Sequence, residues 1–243
     1  MAKRDLVVIG GGSGGLVVAS VAARLGLDVT LIEADAQLGG DCLHYGCVPS
    51  KALIQAAKVA ATIRRASQYG LEGGALAPVD LGRVNAAVRE RIGVIQRHDD
   101  PERFRRYGCE VLFGAARFTG PDTVEVNGRD LRARRIVIAT GSSALVPPID
   151  GLVQTGFVTN REVFTLQALP RRLAVLGGGP VGVELAQAFA RLGSEVTVLQ
   201  RGLRILPNEE PEACAGLEAL LAAEGLRLLT GAEVTAVHRD GGG

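Results

Sequence analysis

Cys42 and Cys47 stand five residues apart in the run GGDCLHYGCVPSK from Gly39 to Lys51, and they are the only close pair among four cysteines. Five residues of unbroken helix rise roughly 7.5 Å, more than the Cα separation of about 4.4 to 6.8 Å that a disulfide tolerates. If the two sulfurs are to bond, the segment must unwind around Gly46. Pro49 suits the first turn of a following helix, which places Cys47 at a helix N-terminus, where the dipole stabilises a thiolate. Three readings compete. A zinc site needs further ligands at suitable spacing, and His44 with the remote Cys109 and Cys214 offers none, so no metal is expected. Four cysteines are too few for a secreted, disulfide-stapled scaffold, and a reducing compartment argues against a purely structural bridge. Redox chemistry is the favoured reading.

The second source of chemistry is glycine, with 33 residues gathered in clusters. Residues 6 to 33, LVVIGGGSGGLVVASVAARLGLDVTLIE, and residues 173 to 200, LAVLGGGPVGVELAQAFARLGSEVTVLQ, align without a gap at an offset of 167. Gly10, Gly12 and Gly15 fall on Gly177, Gly179 and Gly182. In both copies a short apolar, β-branched run precedes the turn and helix-forming residues follow it. Gly26 and Gly193 stand where those helices would stop. Each copy therefore reads as strand, glycine turn, helix, strand. In that context G-x-G-x-x-G binds a dinucleotide: the first glycine turns the chain, the second admits the pyrophosphate, and the third lets helix pack on strand. The phosphates then meet the first residues of the helix, Ser13 and Gly14 in one copy and Pro180 and Val181 in the other. Two such turns imply two dinucleotides.

The second strands end differently. Glu33 is placed to accept hydrogen bonds from a ribose 2′-hydroxyl. Its counterpart is Gln200, followed by Arg201 and Arg204. Loss of the carboxylate removes repulsion against a 2′-phosphate and a nearby guanidinium could bind one, so NADPH is preferred over NADH there. The competing reading is that both arginines are solvated loop charges.

These elements need a soluble α/β scaffold. The apolar fraction is 47%, and 27 basic side chains nearly balance 26 acidic ones, so no overall field draws the chain to nucleic acid or to an anionic membrane. The apolar run from Leu6 to Ile9 is too short for a signal core or a span, which makes a cytoplasmic location the default.

The motif GGDCLHYGCVPSK, followed by ATGSSALVPPIDG and a second GGGPVGVELA unit, resembles the class I pyridine nucleotide-disulfide oxidoreductases, the family of dihydrolipoamide dehydrogenase, glutathione reductase and mercuric reductase. The segment LQR and the loop HDDPERFRRYGCEVLFG look closest to mercuric-reductase-like members. The resemblance implies two Rossmann-like βαβ domains. FAD would be held by Gly10, Gly12, Ser13, Gly14, Gly15, Glu33, Gly40 and Asp41, with Ala139, Thr140 and Gly141 returning the chain. Gly177, Gly179, Pro180, Val181, Gly182, Gln200 and Arg201 would form the nicotinamide-nucleotide site. It also implies that Cys42 is the interchange thiol and Cys47 the thiol facing the flavin, with Lys51 and Glu184 paired near flavin N5. Hydride would pass from the nicotinamide to the flavin, and electrons onward to a Cys42–Cys47 disulfide that reduces a small-molecule disulfide or a metal ion.

His44-Tyr45 stands where most of the family has Asn-Val; it is either a packing variant or a means by which His44 tunes the thiols. His98 and His238 read as solvated. The family's later Gly-Asp segment and C-terminal interface domain, which supplies the homodimer contact and a His-Glu acid/base pair, lie outside these 243 residues. Efficient disulfide reduction by the chain as it stands is therefore in question. The resulting expectation is an FAD domain over 1–148 and an incomplete nicotinamide domain over 149–243. It includes helices at Ala52 to Ala66, Leu81 to Arg97 and Glu212 to Glu224, and an antiparallel excursion over Cys109 to Arg135 with a hairpin at Asn127-Gly128. Cys109 and Cys214 read as structural. Two other functions compete with the reductase. One is a non-catalytic dinucleotide-binding module; the other is a flavoprotein oxidase that passes electrons to oxygen without the cysteines.

Overall fold

The computed structural model describes residues 3–72 and 76–239. Met1 and the closing Asp240 to Gly243, which fall in the two expected domains, lie outside the described residues. The chain forms two compact units, one of residues 1–49 with 89–144 and one of 50–88 with 145–243.

In the first unit, β1 (Arg4–Ile9), helix α1 (Ser13–Arg24) and β2 (Val29–Glu33) form the expected βαβ frame. Strands β1 and β2 pair in parallel with Leu6 on Val29 and Ile9 on Ile32. The short helix α2 (Gly40–His44) follows, then the first residues of α3 (Cys47–Arg64), whose remainder belongs to the second unit, and later the last residues of α4 (Leu81–Gln96) and all of α5 (Pro101–Arg106). The sheet is completed by β3 (Cys109–Phe113), β4 (Arg117–Gly120), β5 (Thr123–Val126) and β6 (Arg129–Ile138), in the order β3-β2-β1-β6-β5-β4. Alternation along β1 sends Leu6 and Val8 to a core shared with Leu16, Ala19 and Phe104. Val7 points to the other face, against Val124, Val126 and Leu131. Both faces are covered, which is why the paired runs Leu6 to Ile9 and Val29 to Ile32 are apolar except for Thr30.

Two expectations need correction. Residues 98–108 are not simply a loop: Asp100 caps α5 by accepting from Glu102 N–H at 2.9 Å, with Pro101 at the first helical position. Moreover, β3 does not belong to the antiparallel excursion but pairs in parallel with β2, Cys109 opposite Val29. A helix directly before a strand is what a parallel crossover requires. The excursion proper is β4, β5 and β6, and its hairpin sits where expected. Asn127 and Gly128 both have positive φ, 52° and 77°, as a tight turn of the primed type requires.

The second unit repeats the frame as β7 (Arg172–Leu176), α7 (Pro180–Leu192) and β8 (Glu195–Gln200), after a one-turn helix α6 (Leu152–Thr155). Helix α8 (Pro211–Ala223) then leads to β9 (Arg227–Thr230), giving a parallel sheet ordered β7-β8-β9. Helices α3, α4 and α8 match their expected spans to within a few residues, except that α3 begins earlier, at Cys47 itself. Among the described residues no helix is long and apolar enough to cross a membrane.

Candidate functional site

The two glycine turns are built alike. Gly10 and Gly177 take φ of 107° and 102°, a region open to glycine and costly for other residues. Their amides donate to Ile32 O and Leu199 O, each at 2.8 Å. A Cβ on Gly15 would stand 1.8 Å from Gly10 O, and one on Gly182 2.3 Å from Gly177 O, so the third glycine lets the helix close on its own turn. Helices α1 and α7 begin after Gly12 and Gly179 with no side-chain cap and no acidic residue in the first turn. Their leading amides are thus left for an anion, and the dipole adds to the attraction. Ser13, Gly14, Pro180 and Val181 are exposed at these ends. The residues present fit the pyrophosphate of a dinucleotide at both places.

Around the first turn, Gly40 packs on Gly12, where a Cβ would come within 2.6 Å of the Gly12 Cα. Ala139 continues β6 past β1, donating to Ile9 O at 2.7 Å, and its carbonyl closes over Gly10. Thr140 is exposed beside it. Gly141 has φ of 69°, and a Cβ there would lie 3.5 Å from Asp41 Oδ2. Glu33 is buried and accepts from Gly11 N–H at 2.6 Å and from Asp35 N–H at 2.8 Å. Gln200 accepts from Gly178 N–H at 3.0 Å. The carboxamide reproduces the carboxylate's bond to its turn, so the exchange of Glu for Gln changes charge without changing that contact. Arg201 is exposed, while Arg204 is turned to the backbone, donating to Pro207 O at 2.8 Å.

The repeat continues beyond the point where sequence identity stops. Gly39 N–H donates to Gly11 O, and Leu206 N–H to Gly178 O, both at 2.8 Å. Leu38 and Ile205 each press on the middle glycine of their turn. These loop residues escape a reading by identity, because residues 34–39 and 201–206 are identical at no position and share apolar side chains only at the third and fifth.

Cys42 lies in α2 and Cys47 opens α3, with the chain unwound at Tyr45 and Gly46 between them. Gly46 is needed there: a Cβ would stand 2.9 Å from Asp41 O and 3.5 Å from the Cys42 Cα. Neither thiol is in a disulfide. The Cys42 thiol is held above its ordinary range, first by its hydrogen bond with Cys47, then by burial, and further by the negative charge of Cys47 and Asp99. His44 Nε2 sits 3.1 Å from Leu38 O, a bond that ties α2 to the loop after β2. Lys51 forms an ion pair with Glu184, 133 residues away. Both are substantially exposed, and such a pair contributes only about 0–1 kcal/mol, so stability alone is a weak reason for the contact. His98 and His238 are exposed. Cys109 is buried with its thiol on Ala19 O at 3.4 Å, and Cys214 is buried with its thiol on Leu206 O at 3.3 Å.

A family model described as pyridine nucleotide-disulphide oxidoreductase matches residues 4–242. A mercuric reductase of Bacillus cereus is 35% identical over 237 residues, which cover 98% of this chain and 37% of that protein. A dihydrolipoyl dehydrogenase of Acholeplasma laidlawii is 33% identical over 239 residues, covering 96% of this chain and 70% of that one. Among solved structures, the Cu(II) complex of the HOCl-induced flavoprotein disulfide reductase RclA from Escherichia coli superimposes with a TM-score of 0.83 at 28% identity. That match covers 97% of this chain and 51% of that one.

Proposed function

The chain belongs to the pyridine nucleotide-disulphide oxidoreductase family, and from that premise we propose that it carries the FAD site, the redox thiols and a nicotinamide-nucleotide site of an NAD(P)H-dependent disulfide or metal-ion reductase. The observation that carries the reading is the Cys42–Cys47 contact in the unit that also holds the first dinucleotide turn. On this reading residues 1–148 bind FAD and 149–243 bind the nicotinamide nucleotide. FAD, when bound, supplies the two-electron link between nicotinamide hydride and a disulfide.

The protein's own part is thiol exchange. Cys42, deprotonated, attacks one sulfur of a disulfide substrate, forms a mixed disulfide and expels the other half as a thiolate. Cys47 then attacks the Cys42 sulfur, expels the second thiolate and leaves a Cys42–Cys47 disulfide, which two electrons and two protons return to the dithiol. The hydrogen bond with Cys47, and then burial, hold the Cys42 thiol above its ordinary range, which favours its protonated form before attack. Lys51, held by Glu184, would place a cation beside the flavin ring, where negative charge collects on reduction. Gln200 stands where the first site has the Glu33 carboxylate, and the exposed Arg201 beside it offers a cation to a 2′-phosphate, which favours NADPH over NADH.

The chain spans 37% of the mercuric reductase and about half of the solved structure, so turnover is tested with the chain itself. FAD-loaded protein should reduce an aromatic disulfide at the expense of NADPH, and Cys42→Ser and Cys47→Ser should each abolish it. Turnover that survives both changes would favour an oxidase that uses oxygen. Bound FAD without any reduction would favour a dinucleotide-binding module.

A further inference from the structure

The loop after β8 is fastened to the second glycine turn from outside. Leu206 N–H donates to Gly178 O at 2.8 Å. Ile205 is fully buried, and its Cγ2 would lie 2.9 Å from a Cβ on Gly178. Leu206 adopts a left-handed φ of 46°, a conformation a Cβ disfavours, so other groups must hold the loop in place. Two side chains one turn apart on α8 do so. Glu218 Oε1 accepts from Ile205 N–H at 2.9 Å, and the buried Cys214 thiol donates to Leu206 O at 3.3 Å. The first unit fastens its equivalent loop with unrelated groups: Leu38 O accepts from Gln96 Nε2 at 2.9 Å and faces His44 Nε2 at 3.1 Å. Each turn thus depends on a side-chain latch lying outside the repeated sequence.

We infer that Glu218 is a positioning residue for the second dinucleotide turn, its carboxylate holding residues 205 and 206 on Gly178 so that the leading amides of α7 converge on one anion. The inference rests on the reading of that turn as a nicotinamide-nucleotide site. Glu218 provides the stronger of the two latches, because a charged acceptor makes a stronger hydrogen bond than a neutral one, while the thiol is a weak donor.

The test measures NADPH and NADH binding by calorimetry, and FAD retention in parallel, on the full chain. Glu218→Ala should weaken nucleotide binding about tenfold, the equivalent of 1.4 kcal/mol, and leave FAD retention unchanged. Glu218→Gln, whose Oε1 still accepts the Ile205 amide, should stay within about twofold of the parent, since the neutral acceptor costs only part of the bond. Cys214→Ala should weaken binding by about two- to threefold, in line with its weaker bond, and it keeps the test available if Glu218→Ala does not fold. Unchanged nucleotide binding in Glu218→Ala, equal loss in the Gln variant, or a parallel loss of FAD would each overturn the inference. Failure of the parent chain to bind either nucleotide would overturn the reading of the second turn, and the inference with it.

Discussion

At the scale of single residues, the thiols and the glycines carry the account. The Cys42 thiol is held above its ordinary range by its bond to Cys47 and by burial, whereas Cys47 is exposed at the head of α3. Without FAD bound, iodoacetamide at neutral pH should therefore modify the exposed Cys47 before Cys42, read by peptide mass spectrometry, and the gap should narrow as pH rises past the ordinary thiol value of 9.0. Cys47→Ser removes the thiol partner that raises Cys42, so Cys42 should react faster at neutral pH; an unchanged rate would show that burial alone sets its reactivity. The glycines separate in the same way. A methyl on Gly15 would lie 1.8 Å from Gly10 O, while one on Gly14 would meet nothing within 4 Å. Gly15→Ala should cost at least about 1–3 kcal/mol of stability by overpacking and lose FAD, while Gly14→Ala keeps its melting temperature. These distinctions were legible in the sequence as far as the fingerprint went, because each fingerprint glycine answers a local steric demand. The role of His44 was not legible, since its contact with Leu38 O depends on where the loop after β2 folds back.

At the scale of elements, the sequence conveys type better than partnership. The run CEVLF is recognisable as a strand, but its periodicity says nothing about whether its neighbour is parallel. That choice follows from α5, whose Asp100 cap and Pro101 start were present in the sequence as helix signals. The hairpin at Asn127-Gly128 was legible because it depends on only two residues with positive φ. The end of α8 illustrates the opposite case. Arg191 of α7 donates from Nε and Nη2 to the two carboxylate oxygens of Glu224, at 2.7 and 2.6 Å, a contact no local pattern announces. The Arg191 hydrogen bonds, set against burial and helped by its charge, hold Glu224 below the usual carboxylate range. A carboxylate lowered in the folded state stabilises it above its unfolded value, and that contribution is lost as pH falls through the folded value. Glu224→Gln should therefore destabilise the chain by about 1.5–3 kcal/mol at neutral pH and by progressively less below pH 4.5, the ordinary carboxylate value. Urea melts of both proteins across that range would measure this, and a pH-independent difference would contradict it.

At the scale of the whole molecule, the chain uses one βαβ device twice, and the two copies agree beyond their sequence identity. The offset of 167 pairs Gly39 with Leu206 and Leu38 with Ile205, and the structure gives each pair the same contact with its turn. What differs is the surroundings. A Cβ on Gly10 would strike Ala139 O, whereas one on Gly177 would meet nothing within 4 Å among the described residues, because β1 is flanked by β6 while β7 stands at the edge of its sheet. On the proposed function, electrons pass from a nicotinamide nucleotide through FAD to the Cys42–Cys47 pair. The measurement that tests it most directly is an anaerobic titration of the FAD-loaded chain with NADPH, and separately with NADH, following the visible spectrum. NADPH should bleach the flavin absorbance at lower concentration than NADH, and a long-wavelength band should appear which Cys47→Ser lacks. A chain that cannot retain FAD, or whose bound flavin is left oxidised by both nucleotides, would contradict it.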